Sequence, residues 1–166
     1  ERQKRFVFDM VFSNTYEKII KLLTAMNEAG VKPELECFDA GHTAGIWPLV
    51  DMGLLQGPLQ FSFIVNVLGG IPPLVESLQL QTKIMPAGSE WEVIGISHCG
   101  WRMLATALVL GGNVRCGLED NLYLPNGEMA KSNGDLVDVA VRMVRDVGRK
   151  PATVEQARQI LGLRAS

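Results

Sequence analysis

The stretch Leu59-Gln-Phe-Ser-Phe-Ile-Val-Asn-Val67, followed by Leu68-Gly-Gly-Ile-Pro-Pro73, decides the fold. Its β-branched and aromatic residues form a nearly continuous apolar run, which predicts a strand that is buried on both faces. The glycines and prolines after it predict a turn into a helix that ends near Ile84. A strand, a short turn and a helix in this order form the repeating unit of a parallel α/β sheet.

The same alternation extends along the chain on both sides of this stretch. Further strands are predicted at Leu35–Phe38, Trp91–Ile96 and Asn113–Leu118. Further helices are predicted from Asn14 to Gly30, from His42 to Met52, from Gly100 to Leu110, from Ser132 to Gly148 and from Thr153 to Leu161. Several of these starts have the spacing of a capping box. The pattern therefore predicts one helix, then four βα units, then one extra helix.

Two architectures contain four such units. One is a small open doubly wound sheet, and the other is part of a (β/α)8 barrel, which needs eight units and about 250 residues. The chain has 166 residues, enough for one domain with a core and too few for two ordinary domains. Half of a barrel leaves two sheet edges uncovered. The pattern alone leaves both architectures open.

Composition and charge exclude several classes of protein. The chain is 47% hydrophobic and 20% charged, which is typical of a globular protein and excludes a disordered one. Its net charge of −2, without a basic block, argues against nucleic-acid binding. Apolar runs such as Phe61–Leu68 and Met103–Leu110 are too short to span a bilayer, and the charged run Glu1–Phe6 lacks the apolar segment of a signal peptide. We therefore expect a cytoplasmic protein with neither a nucleic-acid nor a membrane partner.

The cysteines predict neither a disulfide framework nor a cysteine-based zinc site. There are three of them, Cys37, Cys99 and Cys116, at wide spacings and without a Cys-x-x-Cys pair. We expect free thiols in a reducing compartment.

Charged side chains alternate with apolar ones in two of the predicted strands. In Asn113–Glu119 the odd positions carry Arg115 and Glu119, while the even positions are apolar and face the helices. In the first strand Glu34 and Glu36 share the face opposite two apolar residues. Buried charges are costly unless they are paired or bind something, and parallel α/β proteins bind ligands at the carboxyl ends of their strands. These residues predict a site, and an internal Glu–Arg ion pair without chemistry is the alternative.

For the other polar residues, a local structural role is the alternative to a role in the site. Asp120 reaches the site only if the chain turns after its strand, and it otherwise forms an Asx turn. His42 is expected to cap a helix, and His98 and Cys99, as neighbours in an extended segment, point apart rather than form a nucleophilic pair. Gly69-Gly70 is a weak signal for an anion cradle and is more typical of a βα turn.

The segment Gly111-Gly-Asn-Val-Arg-Cys-Gly-Leu-Glu-Asp-Asn-Leu-Tyr-Leu124 resembles the β-keto acid cleavage enzymes, whose founding activity is cleavage of 3-keto-5-aminohexanoate. Further similar stretches are Phe12–Tyr16, Val31–Asp39, Val67–Pro72, Trp91–Ile96 and Ala130–Asn133, so the resemblance covers essentially the whole chain. It implies the later half of a zinc-containing (β/α)8 TIM barrel, usually a homo-oligomer. That family condenses a β-keto acid with acetyl-CoA to give acetoacetate and a new acyl-CoA.

The resemblance also implies roles for single residues. Glu119 matches the zinc-ligand glutamate of the family, and Asp120 matches the neighbouring acid that acts as general base. Arg115 matches the arginine that holds the substrate and counters developing negative charge. Glu36 matches a glutamate at the substrate end of its strand. Zinc in that family would act as a Lewis acid on the keto oxygen of the substrate.

One departure from the family pattern bears on the metal. The His-x-His pair that supplies other zinc ligands in the family is absent from this sequence, whose two histidines, His42 and His98, are far apart. We expect a chain that represents the later part of the barrel and needs a longer parent or a second polypeptide to complete the site. The alternative is a non-catalytic half-barrel that binds a small carboxylate or only assembles with copies of itself.

Overall fold

The structure, a computed structural model, describes residues 11–163; the charged run Glu1–Phe6 and the expectation drawn from it lie outside this part of the chain. The helices are α1 (Tyr16–Ala29), α2 (Ala40–Ala44), α3 (Trp47–Asp51), α4 (Val75–Ile84), α5 (Gly100–Val109), α6 (Asn133–Asp146) and α7 (Val154–Ile160). The strands are β1 (Glu34–Cys37), β2 (Gln60–Val65), β3 (Glu90–Gly95) and β4 (Asn113–Arg115). No helix among residues 11–163 is both long and apolar enough to cross a bilayer.

The four strands form one parallel sheet in the order β1-β2-β3-β4. Phe61 of β2 lies opposite Leu35 of β1 and Trp91 of β3, so the strand predicted from Leu59–Val67 is central. The prediction of four parallel βα units is confirmed. A doubly wound sheet reverses its strand order at a switch point, and the sheet of residues 11–163 shows no such reversal.

One face of the sheet packs against the helices and forms the core. Its buried strand side chains are Leu35, Cys37, Phe61, Phe63, Val65, Trp91 and Val93. The ring of Phe63 lies 5.9 Å from that of Phe61 and 5.6 Å from that of Trp91, measured between centroids. Each fully buried phenylalanine contributes about 1.5–3 kcal/mol through removal of apolar surface from water. The apolar run in β2 therefore holds helices and sheet together.

The N-cap of α1 lies one residue later than predicted. The side chain of Thr15, not that of Asn14, accepts a hydrogen bond from the backbone N–H of Lys18 at 3.3 Å. Its predicted end is confirmed, because Gly30 adopts the left-handed conformation with φ of 65°. The capping boxes that open at Ser132 and Thr153 are also present.

The single helix predicted from His42 to Met52 is wrong. The segment forms α2 and α3, which are separated at Gly45 and Ile46. Pro48 lies in the first turn of α3, where its missing N–H costs nothing, but a helix continuing through that position would lose a hydrogen bond. The phenol of Tyr16 donates to the carbonyl of Gly45 at 3.0 Å and binds the break to α1.

Strand β4 is also shorter than predicted, ending at Arg115 rather than Leu118. Beyond it the backbone N–H groups of Asp120 and Asn121 both donate to the carbonyl of Gly117 at 3.0 Å. The chain therefore turns at this point, and the predicted alternation of side chains stops at Arg115. This turn determines where the two acidic residues after β4 point.

Candidate functional site

The sheet face opposite the helices carries the charged strand residues. The charged ones are Glu34 and Glu36 on β1, Glu92 on β3 and Arg115 on β4, and the polar Ser62 on β2 lies among them. The predicted separation of charged and apolar residues in the first strand is confirmed, because the two glutamates of β1 are exposed and its leucine and cysteine are buried. Ser62 and Glu92 were not singled out from the sequence, although both are polar residues at alternate positions in strands that are otherwise apolar.

Arg115 contacts three carboxylates at the carboxyl end of the sheet. Its Nη1 lies 3.4 Å from Oε1 of Glu36. Its Nη2 lies 3.7 Å from Oε2 of Glu119 and 3.8 Å from Oδ1 of Asp120. The structure thus brings together four of the five residues for which the sequence predicts a site, while the fifth, Glu34, contacts Ser62 instead. We refer to Glu36, Arg115, Glu119 and Asp120 as the Arg115 cluster.

The two acidic residues after β4 differ sharply in exposure. The side chain of Asp120 is 7% exposed and that of Glu119 is 85% exposed. Asp120 therefore turns into the cluster, and the Asx turn lies one residue later, where Oδ1 of Asn121 accepts from the N–H of Tyr123 at 3.1 Å. Burial raises the pKa of the Asp120 carboxyl, and Arg115 opposes this shift. Asp120 holds a proton more readily than an ordinary aspartate.

Two residues with strained backbone hold the turn that carries Asp120. Asn66 follows β2 with φ of 70°, and Ser97 follows β3 with φ of 66°. The N–H of Ser97 donates to the carbonyl of Asp120 at 2.8 Å, and the amide of Asn66 donates to the carbonyl of Ile96 at 2.8 Å. Left-handed conformations of non-glycine residues cost about 1–3 kcal/mol and concentrate at functional sites. Here they fix three strand ends against one another.

The start of α5 lies unusually close to the end of β3. A Cβ atom on Gly95 would lie 2.5 Å from the Cα atom of Gly100, so only glycine allows this approach. A small hollow beside it is lined by Trp101, Arg115 and Asp120, among others. The indole N–H of Trp101 donates to the carbonyl of Tyr123 at 2.8 Å and ties the loop after β4 to α5.

The residues for which a local role was the alternative do not form a second site. The expectation that His42 caps a helix is wrong, because His42 lies inside α2 and the side chain of Asp39 caps that helix. Nδ1 of His42 instead accepts from the backbone N–H of Phe38 at 3.2 Å, which closes the turn after β1. His98 and Cys99 lie in a short 3-10 helix, Ser97–Cys99, and not in the predicted extended segment. The Cys99 thiol is buried and donates to a backbone carbonyl at 3.3 Å, while His98 is exposed, so the two do not form a nucleophilic pair. A Cβ on Gly70 would lie 2.8 Å from the carbonyl oxygen of Phe38, so this glycine serves a tight βα turn.

The described residues do not by themselves fit a complete zinc site. Residues 11–163 contain no group of three or more His, Cys, Asp or Glu side chains arranged to hold a metal ion, whereas a catalytic zinc takes about three protein ligands. Burial raises the pKa of the thiols of Cys37, Cys99 and Cys116, which keeps them neutral and unsuited to binding metal. Within the Arg115 cluster, the carboxylate of Glu119 is more exposed than those of Glu36 and Asp120.

Comparison with known proteins identifies the family. Residues 3–163 match the model of the beta-keto acid cleavage enzyme family. The chain belongs to this family. A 3-keto-5-aminohexanoate cleavage enzyme of Fusobacterium nucleatum is 39% identical over 156 residues, which cover 94% of this chain and 57% of that relative. A 3-dehydrocarnitine:acetyl-CoA trimethylamine transferase of Rhizobium meliloti is 32% identical over 155 residues, which cover 93% of this chain and 51% of that relative.

A solved structure shares the fold of this family member. It is described as the apo structure of ObcA and superimposes with a TM-score of 0.75 at 17% identity, covering 91% of this chain and 40% of that one. At this identity the likeness concerns the fold alone. The chain spans little more than half the length of the two relatives above.

Proposed function

We propose that this chain is the later half of a (β/α)8 TIM barrel, with β1 to β4 as the last four of eight strands. Residues 1–166 then form a single α/β domain that the remainder of the barrel completes. Three observations support this: the strand order runs without reversal, the face opposite the helices is charged, and the matched solved chain is much longer. In a barrel the charged face points inward, toward the site at the carboxyl ends of the strands.

We further propose that the complete protein transfers acyl groups between a β-keto acid and acetyl-CoA. The acetyl group ends in acetoacetate, and the acyl group of the keto acid ends on CoA. The observation that carries this proposal is the Arg115 cluster, which places one cation and one nearly buried acid at the strand ends. The names of the two relatives support it, one being a cleavage enzyme for a keto acid and the other an acetyl-CoA transferase.

The residues of this chain have distinct tasks in that reaction. Arg115 binds the carboxylate of the keto acid and counters the negative charge that develops on its oxygens. Asp120 takes up and returns a proton, which its burial and raised pKa favour. Glu36 contacts Nη1 of Arg115 at 3.4 Å and orients the guanidinium. These assignments make Asp120 and Arg115 the catalytic pair, and they make Glu36 a substrate-binding residue at the end of its strand.

Glu119 is proposed as one zinc ligand of the completed protein. Its carboxylate is 85% exposed, so it can turn to an ion whose other ligands come from outside the described residues. A homo-oligomeric state and a cytoplasmic location stay predictions from the sequence.

The test is acetoacetate formation by the full-length protein from acetyl-CoA and each of a panel of β-keto acids, together with zinc content per chain. Glu119→Gln should lower zinc content and turnover together. Asp120→Asn should keep the zinc and slow turnover by about 10²- to 10⁴-fold, as expected for loss of an acid–base group. Glu128→Gln, in the same loop but outside the cluster, is the matched control. Binding of small carboxylates without any acetoacetate would favour the non-catalytic alternative.

A further inference from the structure

A second polar group lies on the same sheet face, beside the Arg115 cluster. It consists of Glu34, Ser62 and Glu92, which we call the Ser62 bridge. Ser62 is fully buried, and its Oγ lies 2.5 Å from Oε1 of Glu34 and 3.1 Å from Oε1 of Glu92. None of the three belongs to the Arg115 cluster, and the proposed reaction does not use them.

The two contacts of Ser62 require a proton in addition to its own. A hydroxyl group donates one hydrogen bond, and an ionised carboxylate can only accept. If both glutamates were ionised, one carboxylate oxygen would face the lone pairs of Oγ without a hydrogen between them. If one glutamate is protonated, it donates to Oγ while Oγ donates to the other.

We propose that Glu34 and Glu92 share one proton through the Ser62 hydroxyl, held mainly on Glu92, and that the neutral Glu92 carboxyl leaves Arg115 to the carboxylates at the strand ends. Glu92 is the natural site for the proton because it is half-buried, whereas Glu34 is exposed. Pairs of carboxyl groups in one site commonly hold a single proton between them.

The charges around Glu92 favour its neutral form. Glu34 and Glu36 face it from β1, Glu90 precedes it by two residues on β3, and Asp120 faces it from the turn after β4, while Arg115 on β4 is the cation that acts on it. Burial, the charge of Glu34 and the charge of Asp120 raise the pKa of Glu92, against the opposing effects of Ser62 and Arg115. The negative neighbours thus outweigh the positive one.

The protonation state of Glu92 determines which carboxylates pair with Arg115. Glu92 pairs with Asn113 on β4, two residues before Arg115, so the two side chains lie diagonally on the same face. An ionised Glu92 would compete with Glu36 and Asp120 for the guanidinium. Glu92 is therefore a positioning residue that acts through Arg115; its value for catalysis rests on the proposed function, but the shared proton does not.

The shared proton is tested by infrared spectroscopy of the full-length protein. In a pH titration, the carbonyl stretch of a protonated carboxyl group should persist in the wild type to a higher pH than an ordinary glutamate allows, and this part of the band should be lost in Glu92→Gln. Glu34→Gln should retain the band at low pH and lose it at a lower pH than the wild type, because the like charge is gone. Glu90→Gln, on the same strand but hydrogen-bonded to Asn113, should leave the band unchanged. An identical band in the wild type and in Glu92→Gln, or an unshifted titration in Glu34→Gln, would overturn the proposal.

The link to Arg115 has its own readout in ¹⁵N NMR. The Nε–H resonance of Arg115 should move as the infrared band titrates in the wild type and stay constant over the same pH range in Glu92→Gln. A resonance that moves equally in both proteins refutes the link. If the protein makes no acetoacetate while both spectroscopic results hold, the proposed function fails and the shared proton stands. If the protein makes acetoacetate but either spectroscopic result is not found, the shared proton is refuted and the proposed function stands.

Discussion

The two acidic residues after β4 are almost equally far from Arg115, yet we expect them to couple to it very differently. The N···O distances are 3.7 Å to Glu119 and 3.8 Å to Asp120. The Glu119 side chain is 85% exposed and the Asp120 side chain is 7% exposed. Because water screens an exposed charge, the burial of the carboxylate decides the strength of the pair, and the distance does not.

The magnitude follows from the geometry. Two unit charges at this separation attract by about 4 kcal/mol at an effective dielectric constant near 20. The Arg115 side chain is 36% exposed and the contact exceeds hydrogen-bond length, so screening and desolvation remove more than half of this. We expect a coupling of about 1.5 kcal/mol between Arg115 and Asp120, between the values for exposed and buried pairs. For Arg115 and Glu119 we expect less than about 0.5 kcal/mol.

The assay is urea unfolding of the full-length protein and its variants, read as two double-mutant cycles. The first cycle combines Arg115→Gln with Asp120→Asn, and the second combines Arg115→Gln with Glu119→Gln. A third, with Glu128→Gln, is the control and should give no coupling. Added salt should weaken the Glu119 coupling more than that of Asp120. A Glu119 coupling equal to or larger than the Asp120 coupling would refute the reasoning from burial.

Three further predictions concern the fold that supports the site. Gly95→Ala should lower the free energy of unfolding by about 1–3 kcal/mol because the new Cβ meets the backbone of Gly100. In the control Gly117→Ala the new Cβ makes ordinary contacts, so the free energy of unfolding should stay within about 0.5 kcal/mol of the wild type. Equal thermal midpoints for the two variants would contradict this. Phe63→Ala should cost about 3–5 kcal/mol in urea unfolding, since Phe63 is fully buried between two aromatic rings, and a loss below about 1 kcal/mol would show that the core is misassigned. Burial raises the pKa of the Cys37 thiol to about 11, so about one molecule in a thousand carries the thiolate at pH 8. Iodoacetamide should therefore modify Cys37 far more slowly in the native than in the unfolded protein, as measured by peptide mass spectrometry. Equal rates of modification would exclude the raised pKa.

The sheet was predictable because its strands are apolar over several consecutive residues and are separated by clear turn residues. The Leu59–Val67 run identifies β2 without knowledge of any other element. The break between α2 and α3 was missed because the apolar spacing continues through it, although Pro48 carries the signal. The early end of β4 depends on hydrogen bonds to the carbonyl of Gly117, which sequence periodicity does not encode.

The candidate site was predictable in its members more than in its geometry. Alternation in the strands placed Glu36 and Arg115 on one face. Their strands β1 and β4 lie at opposite edges of the sheet, and the two long side chains meet at 3.4 Å across its face. The inward turn of Asp120 was open from the sequence because it depends on a long-range hydrogen bond from the N–H of Ser97. Ser62 and Glu92 follow the same alternation, but each lies within a mostly apolar run that predicts a buried strand and gives no sign of a polar site.

The charged face of the sheet carries more negative than positive charge, and this excess links its fold to its chemistry. Its carboxylates include Glu34, Glu36, Glu90 and Glu92, with Glu119 and Asp120 in the turn after β4, and Arg115 is the cation that contacts three of them. Covering such a face, as a barrel would, removes solvent from charges that must then be neutralised. A shared proton neutralises one charge in the Ser62 bridge, and Arg115 balances Asp120, the acid that is already buried. Glu119 is left exposed and weakly coupled, and it is therefore the carboxylate most available to a cation from the rest of the protein.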